Sequence, residues 1–117
     1  AAAIDLLASL PKRGRKVAVL GTMRELGPAS EQLHAAAADR IAALVGDAID
    51  LVVATGDFVP AFDRHAERLG DRLVRAEDPV AAFELAYPLL RPTDTILLKA
   101  SRGAKLERWL EMLKQKF

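Results

Sequence analysis

Apolar residues along this chain keep two alternating rhythms. The segments Val17-Ala18-Val19-Leu20, 49–54 and 95–98 are mostly apolar, contain β-branched side chains and are too short for helices, which predicts buried strands. Gly21 stops the first and Thr55-Gly56-Asp57 closes the second. Between the first two, Leu33, Ala36, Ala37, Ile41, Leu44 and Val45 recur at helical spacing and predict a helix from Pro28 to about Gly46. Pro28 suits its first turn, Gly27 gives a flexible entry and Gly46 a stop. Residues 60–69 predict a short helix ended by Gly70, and 72–75 a weak third strand. Asp78 is placed to cap a helix begun by Pro79 and carrying Val80, Phe83, Leu85 and Ala86, which Pro88 kinks or ends. A last helix over 104–116 sets Leu106, Trp109, Leu110 and Leu113 on one face. An opening helix over 2–10 carries Ile4, Leu6, Leu7 and Leu10 and stops before Pro11.

Strands that alternate with helices and are apolar on both faces belong in a parallel sheet covered on both sides. The expected fold is α/β, a Rossmann-like three-layer sandwich with a mostly parallel sheet of about four strands in the order 3-2-1-4. Right-handed crossovers then carry every loop that follows a strand to one rim, where 21–27, 55–58 and 99–103 converge.

Composition narrows the function classes. A chain of 117 residues with 51% apolar content suits a single domain with an ample core. Its net charge of +1 offers no phosphate-binding field, so nucleic acid is not an expected partner. Without cysteine there is no disulfide framework or thiolate metal site, and the two histidines, His34 and His65, do not make a zinc site by themselves. No apolar run approaches the roughly 18 residues of a membrane span. Because the sequence opens at Ala1 inside an amphipathic run, it is expected to be a fragment of a longer polypeptide, residues 1–10 continuing from a preceding segment.

Candidate chemistry concentrates in two loops. The first offers backbone amides at Gly21 and Gly27, the Thr22 hydroxyl, the Arg24 guanidinium and the Glu25 carboxylate; its plainer reading is a strand-to-helix turn with solvated charges. In the second, Lys99, Ser101 and Arg102 precede a helix N-terminus and would suit a carboxylate or phosphate. There the plainer reading is a Ser101 cap and a Lys99 that snorkels. His34 lies in the second turn of its helix and can face either core or loop, whereas His65 has no partner pattern and is expected at the surface. Asp57 either caps the next helix, the favoured reading, or binds a ribose. Glu67, Arg68, Asp71 and Arg72 read as a solvated face, and Trp109 as core. Neither the dinucleotide pattern G-x-G-x-x-G nor a phosphate loop ending in Gly-Lys-Ser/Thr occurs.

The segments V-A-V-L-G-T-M-R-E-L-G-P-A-S-E-Q-L-H at 17–34, A-T-G-D at 54–57 and D-T-I-L-L-K-A-S-R at 94–102 resemble the Mur ligases, and within them the branch that adds D-alanyl-D-alanine to UDP-N-acetylmuramoyl-tripeptide. The resemblance covers nearly the whole chain and is to the third, C-terminal domain. Two positions depart from the family pattern: Thr22 stands where Asp is usual and Ala100 where Gly is usual, so a carboxylate is lost at the first and backbone freedom at the second.

This resemblance implies a cytoplasmic bacterial enzyme of peptidoglycan synthesis that uses ATP and Mg2+. Both would be held by a central domain of the same polypeptide, none by this domain alone. It further implies that no catalytic residue lies in this domain and that Lys99, Ser101 and Arg102 meet the dipeptide or its carboxylate. Gly21, Thr22, Arg24, Glu25, Gly27 and His34 would line the interdomain cleft on the phosphate or carboxylate side. An isolated domain of this kind is expected to fold without ligating. Two other classes fit the α/β pattern less well. A stand-alone nucleotide- or CoA-binding regulatory module requires a phosphate-cradling glycine pattern, and a receiver-type signalling domain requires paired acids where strand one ends in Gly21-Thr22.

Overall fold

The computed structural model describes residues 15–23, 29–91, 93–99 and 107–116. Strands β1 (Lys16–Leu20), β2 (Leu51–Ala54), β3 (Leu73–Arg75) and β4 (Thr95–Lys99) form one parallel sheet in the expected order, β3-β2-β1-β4. Leu20 is level with Ala54 on one side and with Lys99 on the other, so three strands end together. The two central strands are buried along their whole length, as their uninterrupted apolar runs require.

Alternation along the strands divides the core into two layers. Ala18, Leu20, Val52 and Ala54 face α1 (Ser30–Leu44) and the segment holding α2 (Phe58–Ala61) and α3 (Ala66–Leu69). Val17, Val19, Leu51 and Val53 face α4 (Pro79–Ala86) and α5 (Glu107–Lys116). Each large aliphatic side chain removed from water in this way contributes about 1.5–3 kcal/mol. In the second layer Trp109 is fully buried, its Nε1–H donates to the Pro79 carbonyl at 2.9 Å, and its ring meets Phe83 edge-on at 5.0 Å. Asp78 caps α4 as expected, Oδ2 accepting the Ala81 N–H at 3.0 Å, and the helix gives way to a 3-10 turn at Tyr87–Leu89, where Pro88 sits.

Three expectations are corrected. The buried stripe of α1 is His34, Ala38, Ile41 and Ala42, while Leu33 is 43% exposed and Ala36 also faces solvent. Hydrogen bonds from Met23 and to Ser30 hold the His34 ring in the stripe. Residues 60–69 are not one helix. Phe58, Phe62 and Leu69 anchor a chain of short turns that is interrupted at Phe62 (φ −94°, ψ 1°) and ended by Gly70 at φ +51°. On α4 the core side chains are Ala82, Phe83 and Ala86, and Leu85 is 57% exposed because it points away from the sheet.

At the N-terminal ends of the strands, Asp94 pairs with Arg15 at 3.0 Å and Asp50 accepts the Lys16 N–H at 2.9 Å. That end of the sheet is thus tied by one ion pair and one backbone-to-carboxylate hydrogen bond. The predicted helix over 2–10 and Leu106 of the last helix lie outside the described residues.

Candidate functional site

Where the strands end, backbone hydrogen bonds stitch the exits into one rim. The Gly21 N–H donates to the Lys99 carbonyl at 2.9 Å, which sets the exit of β1 against that of β4. On the other side Thr55 donates twice to the Leu20 carbonyl, through its N–H at 2.8 Å and its hydroxyl at 2.9 Å. The Gly56 N–H reaches the Glu77 carbonyl at 3.0 Å and brings in the segment after β3. The loops converge as the parallel topology requires.

Thr22 closes the gap between the first two exits. Its Oγ1 accepts the Asp57 N–H at 2.8 Å and lies against Gly56, whose φ of +55° favours glycine. A Cβ at Gly56 would sit 2.2 Å from Thr22 Oγ1, so the two residues fit only as a large and a small partner.

His34 serves the same rim from below. It is 1% exposed, its Nε2 accepts the Met23 N–H at 3.0 Å, and its Nδ1 lies 2.7 Å from the Ser30 carbonyl and 3.1 Å from Ser30 Oγ. The ring packs edge-on against Phe58 with centroids 4.8 Å apart. It therefore faces core and loop at once, and both nitrogens are committed to holding backbone.

Of the residues expected at the site, Gly21, Thr22, His34 and Lys99 are described, and the bonds above bring all four to one end of the sheet. Arg24, Glu25, Gly27, Ser101 and Arg102 lie outside the described residues. Asp57 precedes α2, but its carboxylate makes no cap hydrogen bond, a correction to the favoured reading. Its N–H is taken by Thr22, and its side chain lines a groove of about 530 Å³ between α2 and the first turn of α1, together with Ser30, Glu31, Asp63 and Arg64.

A second cluster gave no sequence signal. Asp39 on α1 binds His65 Nε2 at 2.6 Å and also the Arg64 guanidinium, pinning the broken segment to the helix. The His65 hydrogen bond is the largest influence and, with the weaker bond and charge of Arg64, holds the Asp39 carboxyl below its usual value against the opposing effect of desolvation. His65 is thus partnered and half-buried, contrary to expectation. The partners lie 25 and 26 positions from Asp39, beyond any local pattern. Arg68, read as solvated, also donates to the Ala42 carbonyl at 2.9 Å.

Among the described residues no group of three His, Asp or Glu side chains is placed to hold a metal ion, and no helix is long and apolar enough to cross a membrane.

Residues 1–102 match the family model described as Mur ligase, glutamate ligase domain. Two crystal structures of MurF from Acinetobacter baumannii superpose with TM-scores of 0.78 and 0.76, each at 28% identity over 97% of this chain. A third, MurF ligase from Thermotoga maritima in complex with ADP, gives 0.67 at the same identity and coverage. The chain spans about a quarter of those proteins, 25%, 24% and 24% of their lengths. No curated protein gives a significant match.

Proposed function

The chain belongs to the Mur ligase family, and from that premise we propose that it is the C-terminal, substrate-positioning domain of an ATP-dependent ligase that joins D-alanyl-D-alanine to UDP-N-acetylmuramoyl-tripeptide. The observation that carries this reading is the Gly21 to Lys99 hydrogen bond at 2.9 Å, because it makes the exits of β1 and β4 a single surface able to form half of a cleft. Similarity to MurF supports the choice of branch within the family.

In the proposed reaction the tripeptide carboxylate takes the terminal phosphoryl group of ATP, giving an acyl phosphate and ADP. The dipeptide amine then attacks the carbonyl carbon and loses a proton, and inorganic phosphate leaves. Such an acyl phosphate must be kept from water, and closure of one domain over another does this while orienting the amine. Membership of the family supports assigning ATP and Mg2+ to the central domain of the parent polypeptide. This domain contributes the rim, with Lys99 at the exit of β4 and Ser101 and Arg102 next in sequence to meet the dipeptide carboxylate. Gly21, Thr22, Arg24, Glu25, Gly27 and His34 would line the same half of the cleft beside them. The working place of such an enzyme is the bacterial cytoplasm.

The test is ligation by the polypeptide extended through its upstream domains. Given ATP, Mg2+, the UDP-tripeptide and D-alanyl-D-alanine, it should release one phosphate per dipeptide joined, and the 117-residue chain alone should release none. In the extended enzyme Arg102→Ala should raise KM for the dipeptide far more than KM for ATP. ATP hydrolysis by the short chain, or an unchanged dipeptide KM in that variant, would overturn the reading.

A further inference from the structure

We propose that His34 is a positioning residue for the rim, acting as a neutral imidazole protonated on Nδ1 that holds the exit of β1 through the Met23 amide. The two ring nitrogens determine this form independently. A backbone carbonyl only accepts hydrogen bonds, so Nδ1, 2.7 Å from the Ser30 oxygen, must carry the proton. A backbone N–H only donates, so Nε2, 3.0 Å from the Met23 nitrogen, must present its lone pair. A ring with the proton on Nε2, or on both nitrogens, would set two N–H groups face to face at Met23.

Position gives this bond leverage. Met23 follows Gly21, which is tied to Lys99, and Thr22, which is tied to Asp57. The imidazole is therefore a third fixed point on three consecutive residues, set from the second turn of α1 and braced by Phe58. The ring is 1% exposed, so water does not replace the bond when it is lost, and Met23 is left with an unpaired donor. Removing the acceptor should loosen the rim without touching the central domain.

The catalytic consequence rests on the ligase reading, whereas the protonation state does not. Long-range 1H–15N correlation of the imidazoles in the 117-residue chain should show His34 with a proton on Nδ1 and none on Nε2, its signals assigned by their absence from a His34→Gln sample. Gln carries a carbonyl oxygen at about the reach of Nε2, and Leu carries no acceptor. In the extended enzyme His34→Leu should lower kcat about 10-fold, the size of one buried hydrogen bond. KM for ATP should stay within about 2-fold, and His34→Gln should recover most of the loss. A proton on Nε2 would overturn the assignment, and a folded His34→Leu enzyme with unchanged kcat would overturn the positioning role. If His34→Leu does not fold, a folded His34→Gln enzyme with kcat lowered about 10-fold or more would do the same. Absence of ligation by the unsubstituted extended enzyme would defeat the proposed function and leave the nitrogen spectrum to decide the tautomer.

Discussion

Replacing Gly56 by alanine probes the joint between the first two strand exits. The added Cβ would stand 2.2 Å from Thr22 Oγ1 and 3.3 Å from Thr22 N, at a backbone φ of +55°. A non-glycine residue in the left-handed region costs about 1–3 kcal/mol. Relief of the overlap requires Thr22 to move, and its hydrogen bond from the Asp57 N–H is worth about 0.5–1.5 kcal/mol. The expected cost of Gly56→Ala is the sum of these, about 1.5–4.5 kcal/mol. Thr22→Ala removes the colliding oxygen and costs only the hydrogen bond, about 1 kcal/mol. In that background Gly56→Ala should cost the backbone strain alone, so the pair should be non-additive by about 1 kcal/mol. Urea unfolding of the four proteins, followed by Trp109 fluorescence, measures the cycle. A Gly56→Ala cost below about 0.5 kcal/mol, or strict additivity with Thr22→Ala, would refute the proposed fit of these two residues.

Trp109→Ala should destabilise the domain by about 3–5 kcal/mol through the cavity and the lost bond to Pro79, in the same unfolding assay followed by circular dichroism. Asp78→Ala should cost about 1 kcal/mol, the usual value of an N-cap, while Leu85→Lys on the exposed face of α4 should stay within about 0.5 kcal/mol of the parent. The Asp39 carboxyl is held below the ordinary aspartate value of 3.8, so its contribution is fully present above 3.8 and is lost as the pH falls through the lowered value. Asp39→Asn should therefore flatten the acid limb of a plot of stability against pH and leave its neutral part parallel to that of the parent.

Strand positions were legible in the sequence because they follow from local chemistry, whereas the order 3-2-1-4 and the gathering of loops at one rim were expected from the Rossmann-like class those strands and helices imply. Short apolar segments with β-branched residues and glycine stops favour buried strands over helices by length and composition, and parallel strands joined by right-handed crossovers leave their loops on one side. Asp78-Pro79 and Pro88 likewise marked the bounds of a helix, since capping and the missing proline N–H act within a few residues. The site was legible only as a set of loops. Gly21, Thr22, His34 and Lys99 were identifiable as candidates, but no local pattern says which groups bond to which.

Tertiary packing decided what periodicity left degenerate. On α1 a stripe through Leu33 and a stripe through His34 satisfy the same spacing. His34 wins because Met23 and Ser30 supply partners for both ring nitrogens, which makes its burial inexpensive. Residues 58–72 carry apolar anchors at helical intervals, yet the chain breaks into short turns with Asp39 gripping Arg64 and His65 from another element. The Thr22 contact with Gly56 and Asp57 spans more than thirty positions and exists only once β1 and β2 lie side by side. Amino-acid order thus determined which segments become strands and helices, because those preferences act over a few residues. The folded sheet determined which polar groups meet at its rim, because a hydrogen bond between distant residues forms only where the backbone has already brought them within 3 Å.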